Sequence, residues 1–165
     1  MEKSQKLKNA SEKRKNMDAG EISTVVKSLP NFGGIFEASQ LDRLKILGLP
    51  VMLIINVEGH WLGLCITRDK FEIMDSLGTL GEFMKNDHLR RFICSHLLGK
   101  KFLVTPKLQS DKSIDCGKYV VSFFWYSYLL NKTLGEFIEL FNSNFEQNSD
   151  NISLLFKTVK KITES

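Results

Sequence analysis

With 165 residues, 42% of them hydrophobic and 25% charged, the chain has the size and composition of one globular domain, which leaves no room for a second catalytic domain. Its longest apolar run, residues 120–130, is interrupted by Ser122, Tyr126 and Ser127 and falls short of the roughly 20 apolar residues of a membrane span, while the basic, polar start is unlike a secretory signal. Cys65, Cys94 and Cys116 cannot all pair with one another and lack the close Cys/His spacing of a zinc site, so an intracellular, reducing setting with no metal is expected.

The net charge of +4 sits at one end. Residues 1–16 carry Lys3, Lys6, Lys8, Lys13, Arg14 and Lys15 against Glu2 and Glu12, leaving 17 basic and 17 acidic of the chain's 23 and 19 for the remainder. Residues 1–17 therefore read as a flexible basic arm, either simply solvated or contacting a polyanion such as DNA by displacing counterions from its phosphates. The folded domain is placed at 18–165. Asp18 and Glu21 have capping-box spacing, and Ile22, Val25, Val26 and Leu29 share one helical face before Pro30. Residues 31–36, with Gly33 and Gly34, read as a turn ahead of a short helix capped by Ser39 and ended at Gly48.

Three strands are expected at 51–57, 61–67 and 71–74, the last two a hairpin through Arg68, Asp69 and Lys70. Residues 82–98 carry a helical period through Phe83, Leu89, Ile93 and Leu97, followed by a short strand at 102–104 and a polar loop at 109–115. Residues 116–130 form a helix apolar on nearly every side, and such a helix is buried centrally. Thr133 and Glu136 form a second capping box, and Asp150 is the expected cap of a last helix through Leu154, Leu155 and Val159. The order of helices, a strand cluster and helices again is that of an α+β domain.

Four features in one order carry chemistry: His60-Trp61, Asp75, Gln109 and Asp115-Cys116-Gly117. Cys116 follows a polar loop and opens the central helix, where unpaired N–H groups and the helix dipole favour a thiolate. Cys65 and Cys94 read instead as small buried hydrophobes. A thiolate attacking a carbonyl needs a proton donor for the leaving group, and His60, at the entry to a strand, can serve. His88 and His96 fall in a charged helical stretch and read as surface residues. Asp75 ends the strand paired with the one His60 begins, so antiparallel pairing returns it beside the imidazole, where it can hold the tautomer. The Gln109 amide and the Cys116 backbone N–H can supply oxyanion donors, and Gly117 lets a substrate come close.

This order, with Gln seven residues before Cys, resembles the adenovirus-type cysteine endopeptidases (adenain) and their relatives in adenovirus-like mobile elements and viruses. Their wider fold group also contains the SUMO-specific proteases. The resemblance implies a papain-like-group α+β fold, with a small, mainly antiparallel sheet packed on a central helix with flanking helices. It implies a Cys116 nucleophile assisted by His60 and Asp75, Gln109 in the oxyanion hole, and Trp61 walling the site. The implied activity is that of a monomeric thiol endopeptidase maturing viral capsid or core precursors, in a virion or host nucleus. Adenovirus enzymes carry Glu where this chain has Asp75. The run Asp75-Ser76-Leu77-Gly78 and the Asp115 before Cys116 look more like the SUMO-protease branch, which makes a SUMO or ubiquitin-like tail the alternative substrate; the compact chain favours the viral branch. Adenovirus enzymes are also activated by DNA and by a disulfide-linked peptide, so the resemblance admits both, with the basic arm for DNA and Cys94 as the candidate cysteine. A non-enzymatic nucleic-acid-binding protein is the remaining rival, disfavoured by a neutral body without a nucleic-acid motif.

Overall fold

In a computed structural model, residues 16–165 are described. The arm cations Lys3, Lys6, Lys8, Lys13, Arg14 and Lys15 lie outside them, and so does the expected contact with DNA. Five strands line up in chain order: β1 (Phe32–Glu37), β2 (Val51–Val57), β3 (His60–Ile66), β4 (Lys70–Met74) and β5 (Lys101–Val104). The inner pairs β2/β3 and β3/β4 are antiparallel, as expected, and β1 and β5 join the edges in parallel, which makes the sheet mixed. Val57 faces His60 across a two-residue turn in which Glu58 and Gly59 have φ of 53° and 84°. Positive φ at both positions matches the right-handed strand twist and fixes the register from which His60 starts β3.

The glycine pair at 33–34 does not make a turn. It lies within β1, beside a bulge between Phe32 and Gly34. A Cβ on Gly33 would stand 2.6 Å from the Val51 side chain and 2.8 Å from that of Leu53, so the missing side chain permits close strand packing. The short helix expected from Ser39 to Gly48 is a 3-10 segment, Ala38–Arg43, closed at its start by a reciprocal box between Glu37 and Gln40. The helical stretch at 82–98 divides into α2 (Leu80–Phe83) and α3 (Asp87–His96), because the Asn86 side chain accepts from the Leu89 N–H and starts a new helix.

The remaining helices are α1 (Ala19–Val26), α4 (Cys116–Leu130), α5 (Leu134–Ile138) and α6 (Phe145–Glu164). Asp18 and Thr133 cap α1 and α5 as their spacing predicts. The last helix starts earlier than expected: Asn144 is its cap, and Asp150 lies inside it. The reason is tertiary, since buried Asn148 bonds to Leu108 and Asn142 and so ties down the extra turns.

Helix α4 runs across one sheet face. Val120, Phe123 and Phe124 pack between Ile54, Trp61 and Met74 on one side and Ile22, Phe137 and Ile152 from α1, α5 and α6 on the other. Each fully buried phenylalanine stabilises the fold by about 1.5–3 kcal/mol. A second core fills the opposite face, with Leu62, Leu64 and Ile73 against Leu89, Phe92 and Ile93 of α3. Among the described residues no helix is long and apolar enough to cross a membrane.

Candidate active site

Met74 of β4 lies opposite Gly63 of β3, so the next residue, Asp75, returns toward the start of β3. The His60 Nε2 and Asp75 Oδ1 atoms are 2.8 Å apart, with His60 6% and Asp75 0% exposed. The carboxylate is fixed at its other oxygen as well, which accepts from the Thr79 N–H at 2.7 Å. The Thr105 hydroxyl holds the Asp75 backbone on both sides, accepting from its N–H at 2.8 Å and donating to its carbonyl at 2.6 Å. Phe83 of α2 stacks on the imidazole, with centroids 5.1 Å apart and planes 12° from parallel. Sequence reasoning found His60 and Asp75 and missed Thr79, Thr105 and Phe83, whose roles arise only from tertiary packing.

Cys116 is the first residue of α4 and is 3% exposed. Burial pushes its thiol pKa up, but a hydrogen bond and charge from His60, the Trp61 backbone amide and the Asn16 side chain outweigh this and bring it below the usual thiol range. His60 moves the other way. Burial lowers its pKa, yet the bonds and charges of Asp75 and Cys116 raise it to about 9. The two shifts favour one state, a thiolate beside an imidazolium. Asp75 takes Nε2, so Nδ1 is the ring nitrogen left for the sulfur.

Asp115 occupies the cap position of α4, yet its side chain does not cap the helix. It accepts from the hydroxyls of Ser113 and Ser149, each at 2.9 Å, and faces the Lys118 ammonium at 3.5 Å. The carboxylate therefore makes no hydrogen bond to the first amides of α4, beside which Cys116 stands. Gln109 is buried in the preceding loop. Its Oε1 accepts from the Ser76 hydroxyl at 2.7 Å, and its Nε2 donates to the Ser113 carbonyl at 3.3 Å.

Trp61 and Gly117 are where the sequence puts them, but another segment covers both. The Trp61 indole N–H donates to the Met17 carbonyl at 2.8 Å, and the Met17 side chain comes within 3.2 Å of where a Gly117 Cβ would stand. Asn16 Nδ2 reaches the Gly59 carbonyl and the Cys116 sulfur, each at 3.3 Å. Asn16 and Met17, expected at the end of the basic arm, thus pack against the site. No periodicity marked them, because two residues ahead of a helix carry none. The other candidates lie apart from this centre. Buried Cys65 has its thiol pushed up to about 12 by burial, Cys94 is exposed on α3, and His88 pairs with Asp42, which Arg91 also contacts.

The model of the Ulp1 protease family, C-terminal catalytic domain, matches residues 4–152. The central domain of the uncharacterized Lpg1148 protein from Legionella pneumophila superposes with a TM-score of 0.53 at 16% identity, covering 92% of this chain and 97% of that one. The C-terminal protease domain of Ulp1, in complex with Smt3, the yeast ortholog of SUMO, superposes with a TM-score of 0.50 at 15% identity, covering 91% and 79%. Likeness at these identities is one of fold. By sequence, no curated protein matches. The arrangement of a cysteine at a helix start beside a buried histidine thus sits in a known α+β fold, and the chain belongs to the Ulp1 protease family of cysteine proteases.

Proposed function

We propose that Cys116, His60 and Asp75 form the catalytic triad, with Gln109 Nε2 and the Cys116 N–H as oxyanion donors, and that the substrate is a protein with a SUMO- or ubiquitin-like tail. The observation that carries the reaction is the imidazole held at 2.8 Å by a buried, doubly anchored carboxylate and hydrogen-bonded to a cysteine at a helix start, whose pKa it lowers. The Cys116 sulfur attacks the scissile carbonyl carbon, and the oxyanion takes the two donors. The His60 imidazolium gives its proton to the departing amine as the C–N bond breaks, leaving a thioester. A water molecule, deprotonated by His60, then attacks the thioester and releases the acid and the Cys116 thiolate, with the proton back on His60. Asp75 stays ionised and holds the ring throughout.

Membership in the Ulp1 family and the likeness to a Ulp1 domain solved with Smt3 support the tail-bearing substrate. A second reading, cleavage of viral capsid or core precursors, is supported by the seven-residue spacing from Gln109 to Cys116. Turnover of a Gly-Gly-ended SUMO-type fluorogenic substrate and of a short capsid-type peptide separates the two readings. Cys116→Ala should abolish both without unfolding the domain, and residual turnover above about a thousandth of wild type would reject the nucleophile. The basic residues 1–15 would bring either substrate to DNA through their charge. Their deletion should then flatten the salt dependence of DNA binding and spare cleavage of a free peptide; unchanged DNA affinity would reject this role.

A further inference from the structure

Gln109 can stabilise an oxyanion only through its amine, yet a carboxamide has two ends of similar size, and only its hydrogen bonds decide which way it points. One contact decides it here, and a second holds the result in place. The Ser113 backbone carbonyl can only accept, so the end 3.3 Å from it is the amine. At the other end the Ser76 hydroxyl, 2.7 Å from Oε1, donates to it. Turned round, the amide would set Oε1 against a carbonyl oxygen, two acceptors facing each other in a buried place. With the observed orientation one N–H of Nε2 goes to Ser113, and the second remains for a substrate oxygen.

Ser76 is well built for this task. It is 1% exposed, directly follows Asp75, and accepts from the N–H groups of Leu108 and Gln109 at 2.8 and 3.1 Å through its own carbonyl. It therefore joins the strand end that holds His60 to the loop that holds the oxyanion donor. We propose that Ser76 is a positioning residue of the oxyanion hole, fixing the Gln109 amide with its amine toward the reacting carbonyl. This rests on the assignment of Gln109 as an oxyanion donor.

The test is a double-mutant cycle of Ser76→Ala and Gln109→Ala on a fluorogenic substrate, together with the rate at which iodoacetamide alkylates Cys116, a reaction that forms no oxyanion. Gln109→Ala should lower kcat by about 10²-fold, the scale for one oxyanion donor. Ser76→Ala should lower it about 10-fold with KM nearly unchanged, leave alkylation at the wild-type rate, and cost nothing further in the Gln109→Ala background. Losses that multiply, or a parallel fall in alkylation, would overturn the proposal by showing that Ser76 acts through Asp75 or the fold. Wild-type kcat for Ser76→Ala beside a damaged Gln109→Ala would overturn it while sparing Gln109, whereas wild-type kcat for Gln109→Ala would overturn the assignment beneath it. Should Ser76→Ala fail to fold, Ser76→Cys keeps the shape with a weaker donor and should fall between wild type and Gln109→Ala in kcat; equality with wild type would again count against Ser76.

Discussion

Between Asp75 and Cys116 the His60 ring has a partner on each side whose hydrogen bond and charge raise its pKa, and in a nearly dry position these outweigh burial. A histidine whose pKa is raised from 6.5 to about 9 keeps its proton through neutral pH and loses it as the pH rises through about 9. In the proposed mechanism the imidazolium is the acid, so cleavage should fall on the alkaline side near that value. Asp75→Asn removes one of the raising charges, so the alkaline limb of kcat/KM should move to lower pH while kcat drops; an unmoved limb would show that Asp75 does not tune the ring. At this scale much was legible. An antiparallel hairpin returns a residue 15 positions later beside His60, and a cysteine opening an apolar helix is visible as such. Thr105, Thr79 and Phe83 were not, because a residue that reaches the site from another segment leaves no local pattern.

Elements followed their own hydrophobic periods where packing agreed with local chemistry. The α4 boundaries, the β3/β4 hairpin and the caps at Asp18 and Thr133 were legible on that ground. The failures fell where tertiary contact overrode a local signal: Gly33 and Gly34 signal a turn but sit in an edge strand pressed on Val51 and Leu53, and α6 extends past Asp150 because Asn148 finds partners in neighbouring segments. The same packing makes α4 the element on which the fold depends most. Phe124 lies fully buried between the sheet and the outer helices. Phe124→Ala should cost about 3–5 kcal/mol in chemical denaturation. A loss below about 1 kcal/mol would mean that the surrounding helices close around the gap.

Across the whole molecule, the cationic stretch of the sequence ends directly before the residues that cover Cys116. The chain leaves its cationic stretch at Lys15 and passes over Cys116 through Asn16 and Met17 before entering α1. Asn16→Gly should have two effects on alkylation of Cys116 that differ in direction. Removing the covering amide raises the plateau rate, and losing its hydrogen bond to the sulfur moves the acid limb to higher pH, since that bond helps hold the thiol pKa down. A pH series of alkylation rates measures both, and an unchanged plateau would show that the cover does not restrict access.

A thiolate is also the form of cysteine that peroxide attacks, and beyond the sulfenic level the damage becomes irreversible. A lowered thiol pKa raises the thiolate share at Cys116 and with it this hazard, while Cys65 escapes it with a thiol held protonated up to about 12. The Asn16 amide lies against the Cys116 sulfur and the Met17 side chain against Gly117, and the Met17 sulfur is itself oxidisable. Asn16 and Met17 thus place a covering amide and a second oxidisable sulfur beside the thiol most open to that damage.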